Sequence, residues 1–217
     1  MIFLVLILLF LVIAAYLFCS YYGILTEVCI KTNRSPFGRL AIAYKFSRGP
    51  YSKASQLFVE ANCVMPNHPR IGIFYGDRHD PASPLSFAIG SILNDRGELP
   101  DEKTIMHLRS YGYKFFIFPE VSFAVTGSFP YKNSLSLFFA VLKIYPKIGA
   151  YVAARNLCAH PVIEIYGPSN ILFVAPLARQ SEFYVPEAED LHDSENSFPL
   201  LNGKAISCKS PLLPLGW

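Results

Sequence analysis

The hydrophobic pattern opens on an unbroken apolar run. Residues 1–22, MIFLVLILLFLVIAAYLFCSYY, contain no charged side chain. As a helix this run would extend about 33 Å, against a hydrocarbon core of about 30 Å. Tyr16, Tyr21 and Tyr22 gather at its C-terminal end, where an interfacial aromatic belt belongs. A cleaved leader normally has a basic start, a shorter apolar core and a small-x-small site. This run lacks the basic start and is too long, so a retained transmembrane anchor is expected over 1–23, followed by a juxtamembrane linker over 24–38.

From residue 39 the pattern breaks into short elements. RLAIAYKF (39–46) alternates Leu40, Ile42, Tyr44 and Phe46 with small or charged residues, which predicts a strand. SKASQLFVEANC (52–63) predicts a short helix after Gly49-Pro50. IGIFYGD (71–77) and SFAIGSIL (86–93) predict strands separated by a loop with Asp80, Pro81 and Pro84. PDEKTIMHLRSYG (100–112) has acids at its front and Gly112 as its stop, a helix signature. Further strands are expected at 113–118 and 122–129. A long helix is expected over 133–157, bent or restarted at Pro146. HPVIEIY (160–166) and ILFVAPL (171–177) flank Gly167-Pro168-Ser169-Asn170 as a hairpin.

The order β-α-β-β therefore occurs twice, joined by a helix and a strand. That order predicts an α+β domain over 39–186, with duplicated units, an antiparallel sheet and helices on one face. Residues 187–217 follow as an acidic tail, expected to be disordered.

Charge sets the direction of the anchor. Lys31, Arg34, Arg39, Lys45 and Arg48 follow it, against Glu27 alone. The positive-inside rule then puts the C-terminal bulk in the cytosol. Asn33-Arg34-Ser35 is a glycosylation sequon close to the membrane and is read as a chance match. Net charge is only +3, and no Lys/Arg block occurs, so direct nucleic-acid binding is not expected. Five cysteines are scattered without a C-x-x-C, which indicates reduced thiols and neither a zinc framework nor a disulfide scaffold.

Catalytic chemistry is hard to find. No nucleophile elbow, phosphate loop or dinucleotide fingerprint occurs. The histidines 68, 79, 107, 160 and 192 are dispersed, so a four-ligand metal site is not expected. No cofactor is expected; a lone axial haem ligand cannot be selected among these histidines. Glu164, in VIEIY, is the one acid inside an apolar strand and is the candidate groove-ligand residue. Strand alternation puts Val162, Glu164 and Tyr166 on one face, which allows it simply to point outward. Tyr44, Phe74, Tyr113 and Phe123 are candidates for lining a groove or for core.

The stretches AYKF (43–46), AIGSIL (88–93), VTGSFPY (125–131), LCAHPVIEIY (157–166) and PLARQSEFYVPE (176–187) carry a resemblance. They resemble the gyrase-inhibitor-like and SOUL domains, and among these the membrane-anchored testis-expressed protein 264 family. The PLARQ–FYVPE stretch is the most specific. In soluble relatives, the resemblance implies, a groove Glu pairs with cationic ligands or assists hydrolysis. For the anchored family it implies single-pass endoplasmic reticulum proteins acting as reticulophagy receptors, with links to a AAA ATPase and to repair of topoisomerase adducts. It further implies a short tail motif binding ubiquitin-like autophagy modifiers of the GABARAP type. The family's long Ser/acid-rich tail is missing, and only about thirty residues follow the domain.

That motif is an aromatic, two variable residues and an aliphatic, preceded by acids. It works by strand addition to the partner's sheet edge, with two pockets for the apolar side chains. Phe198 and Leu201, with Asp190, Asp193 and Glu195 upstream, match it in an unfolded setting. Pro199 between them supplies no N–H. Two readings follow: a non-enzymatic autophagy receptor, or a membrane-tethered small-molecule-binding or hydrolytic domain.

Overall fold

The computed structural model describes residues 2–75 and 85–188. The loop with Asp80, Pro81 and Pro84 lies outside the described residues, as does the tail from 189. Helix α1 (Ile2–Tyr21) has no buried residue. An apolar helix exposed all round suits lipid and not water.

Eight strands form one antiparallel sheet: β1 (Lys31–Arg34), β2 (Leu40–Arg48), β3 (Arg70–Tyr75), β4 (Ser86–Asn94), β5 (Lys114–Phe118), β6 (Phe123–Pro130), β7 (Val162–Tyr166) and β8 (Asn170–Pro176). Among the described residues three α-helices accompany the sheet: α2 (Ala54–Val64), α3 (Glu102–Ser110) and α4 (Ser134–Ala154). The strand order is β1-β6-β8-β7-β3-β4-β2-β5. Read outward from the β3–β7 seam, it runs β3-β4-β2 on one side and β7-β8-β6 on the other. Each of these halves follows strand, helix, strand, strand along the chain.

The expected helices and strands form within about two residues of their predicted bounds, a normal scatter for element ends, except that α4 stops at Ala154 and the last two residues expected of β3 lie outside the described region. Asp101 caps α3 by accepting the Thr104 N–H at 3.3 Å. Asn133 and Ser136 form a reciprocal capping box at the start of α4. That helix runs through Pro146 without restarting. Its buried stripe, Ser136, Ala140, Ile144, Ile148 and Val152, packs on β6 and β8 on both sides of the proline, so tertiary packing carries the helix across the missing N–H.

The linker expected over 24–38 is instead part of the fold. Lys31 pairs with Thr126, and Asn33 with Ala124, at the β6 edge. KTNR has no apolar alternation, so pattern reading misses it; the open edge of β6 recruits it through backbone hydrogen bonds. Asn33, the sequon residue, is held in that pairing and contacts Thr126 Oγ1 at 3.4 Å. Cys19, Cys29 and Cys63 are free thiols, whereas Cys158 is disulfide-bonded, a departure from the expected reduced state.

The helices cover one face of the sheet. Phe58 of α2 meets Tyr166 of β7 at 4.7 Å between ring centres, so that layer spans the seam. Ala43 packs with Ala61, Met65 and Leu108 beneath α2 and α3. Ile42 and Tyr44 project into the opposite core with Ile71, Ile73 and Phe118. Thus β2 is buried from Leu40 through Tyr44, and its expected alternation is one of size. Small residues lie where helices approach, and large ones fill the other side.

Between β2 and β4 there is no room for a side chain at Gly90. A Cβ there would sit 1.8 Å from the Ala43 carbonyl oxygen, next to the register shift at Ala41/Ile42. Gly90→Ala is therefore expected to destabilise the domain by about 3 kcal/mol, the upper range for over-packing. Urea unfolding followed by circular dichroism measures it; an unchanged midpoint would show that the strands can part without loss.

Candidate functional site: a strap across the sheet

The face opposite the helices is closed by the chain itself. After β8, residues 179–188 cross it as a strap. Arg179 starts the strap in a left-handed conformation, φ 55°. Its guanidinium grips Glu182 at 2.6 and 2.5 Å, and Nη1 donates to the Glu120 carbonyl at 3.3 Å. The Gln180 amide donates to the Cys158 carbonyl at 3.0 Å. These contacts place a 3-10 turn, Gln180–Phe183, over the apolar centre.

Phe183 then drops into the sheet with no exposed surface and stacks on Phe118 at 5.1 Å. Val185 and Ala188 are also buried there. The Tyr75 hydroxyl serves the strap twice. It donates to the Phe183 carbonyl at 3.1 Å and accepts the Val185 N–H at 3.3 Å. Full burial pushes this phenol well above its usual pKa, so it stays neutral and able to donate. Tyr184 lies against Tyr75 at 4.9 Å, and its hydroxyl is 3.1 Å from His160 Nδ1.

Glu187 ties the end of the strap down. Tyr44 donates to it at 2.9 Å, and Lys114 pairs with it at 2.6 Å. Burial works against this carboxylate, but the Lys114 ammonium, a backbone N–H and the Tyr44 hydroxyl together hold its pKa below the ordinary value. Burial first, then Glu187, pushes the Tyr44 phenol far up. Glu187 and Ala188 thus belong to the folded body, and the tail boundary expected at 187 moves beyond them.

The predicted residues fare differently. Phe198, Leu201, Asp190, Asp193 and Glu195 lie outside the described residues. Glu164 does share a face with Val162 and Tyr166, but that face is the one covered by helices. It is 2% exposed and accepts hydrogen bonds from Tyr145 at 2.6 Å and Tyr166 at 2.5 Å. The outward-facing reading is therefore corrected: this face turns into the core shared with α4, and two phenols supply what water would have supplied. Glu164 also lies on the side away from the strap, so it lines no groove there. Of the candidate groove aromatics, Tyr44 lies under the strap, Phe74 packs against Phe87, Tyr113 is buried near Leu108, and Phe123 is half exposed. Among the described residues, no group of three His, Cys, Asp or Glu side chains is placed to hold a metal.

The FYVPEA strap was visible in the sequence only as a family signature. Its role as cover for a sheet face depends on contacts with Tyr44, Tyr75 and Phe118, far away in the chain.

Two curated proteins match strongly. Testis-expressed protein 264 of Homo sapiens and its homolog in Mus musculus are each 37% identical over 174 residues, covering 80% of this chain. This chain belongs to the testis-expressed protein 264 family. It spans 56% of the length of those relatives. With its apolar N-terminal helix, it is a single-pass protein of the endoplasmic reticulum membrane, its bulk in the cytosol. No family model matches. Solved structures are more distant. A hydrolase from Listeria innocua is 12% identical, with a TM-score of 0.41 over 74% of this chain and 98% of that one. An integron cassette protein from Vibrio cholerae is 11% identical, with a TM-score of 0.42 over 70% of this chain and 99% of that one. Likeness at that level carries no argument about function.

Two outcomes are expected. Phe183→Ala should destabilise the domain by about 3–5 kcal/mol, the usual range for a buried Phe, as read by urea unfolding. The Glu187 carboxyl is depressed in the folded state, so its contribution is complete above the unfolded value and lost as pH falls through the folded one. Melting temperatures of wild type and Glu187→Gln should therefore differ at neutral pH and converge below about pH 4. Parallel curves across that window would remove the carboxylate from the account.

Proposed function

We propose that this protein is an endoplasmic reticulum receptor for selective autophagy, in which the folded domain is a non-catalytic platform and the tail binds ubiquitin-like autophagy modifiers. Phe198 fills the deeper pocket of the modifier and Leu201 the second, with Asp190, Asp193 and Glu195 steering the approach. The observation that carries this reading is the strap. FYVPEA occupies the sheet face that a groove ligand would need, and Phe183 in it has no exposed surface. Binding work is then left to segments outside the core. Ala188 is buried on the domain, and Phe198 follows ten residues later. An extended chain of that length reaches up to about 35 Å, enough to engage a partner clear of the platform. Many receptors in one membrane add avidity to a weak contact.

The matching strand orders of the two halves support reading the domain as a duplicated unit. A AAA ATPase partner rests on the family resemblance alone. The hydrolytic alternative requires the strap to leave its face and a catalytic group to replace it.

Full-length protein captured on immobilised GABARAP-type modifiers tests the proposal. Phe198→Ala with Leu201→Ala should abolish capture while the protein stays in carbonate-washed membranes. Neutralising Asp190, Asp193 and Glu195 should weaken capture and flatten its salt dependence, because screening over about 8–10 Å acts on those charges and not on the pockets. Undiminished capture of the double alanine variant would end the tail reading.

A further inference from the structure

The anchor and the domain are joined by a series of contacts along α4. Lys143 Nζ donates to the carbonyls of Ile24 at 2.5 Å and Thr26 at 2.8 Å. One turn further on, Lys147 Nζ donates to the Val28 carbonyl at 3.0 Å. Another turn on, the Tyr151 hydroxyl meets the Thr32 N–H and Oγ1, each at 3.1 Å. Segment 24–32 and α4 therefore run side by side in the same direction, away from the membrane. Residues 134–142 precede the first of these contacts and lie on its membrane side. At about 1.5 Å per residue they project roughly 13 Å back toward the bilayer.

A second observation fixes the same end. The chain leaves the anchor through Gly23, φ 74°, and a Cβ there would be 3.1 Å from the Phe129 ring and 3.5 Å from Pro130. Pro130 ends β6 just before α4 begins. The start of α4 thus lies beside the anchor's exit.

Its composition suits that place. SLSLFFAVL (134–142) carries no charge, with Lys132 before it and Lys143 after it. Its inner residues Ser136 and Ala140 are buried in the domain. Leu135 is 38% and Phe138 42% exposed, and Leu25, next to the anchor, is 57% exposed. By length and composition α4 is apolar enough to cross a membrane, but its Ile144, Ile148 and Val152 are built into the core. It can touch lipid with one end and one face only.

We propose that the first two turns of α4 form a second membrane contact, seated in the lipid interface beside the anchor with Leu135 and Phe138 among the acyl chains. The occupant is the bilayer itself, because the face continues from the anchor. Interfacial helices bury an apolar face about 5–10 Å into the headgroup and acyl boundary. Lys132 is positioned to reach phosphate. With two attachments the platform has a set orientation on the membrane.

The test uses full-length protein with Trp217→Phe, which removes the sole native indole. Single reporters Leu135→Trp, Phe138→Trp and Ala154→Trp are reconstituted into phosphatidylcholine vesicles with plain or brominated acyl chains. Ala154 is exposed at the far end of the same helix, about 28 Å from Leu135. The reporters at 135 and 138 should emit blue-shifted and lose most of their fluorescence in brominated lipid, while the one at 154 is unaffected. Recovery of the protein in vesicles checks the anchor separately, and circular dichroism checks the fold. Two reporters guard against one variant failing to fold. Red-shifted, unquenched emission at both would place this face in water and overturn the proposal. Blue-shifted but unquenched emission would mean that protein, a second copy or another segment of this chain, covers it, and equal quenching at 154 would refute the positional argument.

Discussion

A sheet with two apolar faces must have both removed from water. That requirement organises this molecule. On one side the buried stripe of α4, and Ala61 of α2 with Met65 just past its end, meet the sheet. On the other side a short strap with a single 3-10 turn takes that role, led by Phe183 on Phe118. Burial of a single aromatic there contributes on the order of 3 kcal/mol, a large share of the 5–15 kcal/mol that keeps a domain folded. The strap is thus a structural part of the domain, although it lies beyond the last strand.

The polar groups inside these layers are matched to partners. Glu164 would be costly under α4 without Tyr145 and Tyr166. Tyr75 would strand a hydroxyl without the strap backbone. Tyr166 is a neighbour of Glu164 on β7, but Tyr145 comes from α4 and the strap lies more than a hundred residues from Tyr75, so neither group is fully satisfied until the tertiary structure has formed. Such groups report on correct assembly more than they add to net stability.

The same logic shapes the membrane side. Two lysines of α4 cap backbone carbonyls of the segment leaving the anchor. β1 continues that segment into the sheet. The domain is therefore coupled to its anchor by a docked segment and not by a free tether. Such coupling limits the directions the domain can take relative to its anchor.

Much of this was open to inspection in the chain alone. The uncharged run of α1 is long enough for a bilayer, and its meaning depends only on local composition. The strands from 40 onward and the three soluble helices follow from apolar period, caps and turn residues, which are local signals. The failures share one cause. KTNR joins the sheet because β6 offers an open edge, FYVPEA covers a face because Phe118 and Tyr75 lie beneath it, and Glu164 is buried because its face of β7 turns into the core that α4 covers. None of these contacts is encoded within a window of neighbouring residues. Alternation can tell which side chains of a strand share a face, but only the packing of distant elements decides whether that face meets water, a helix or the chain's own strap.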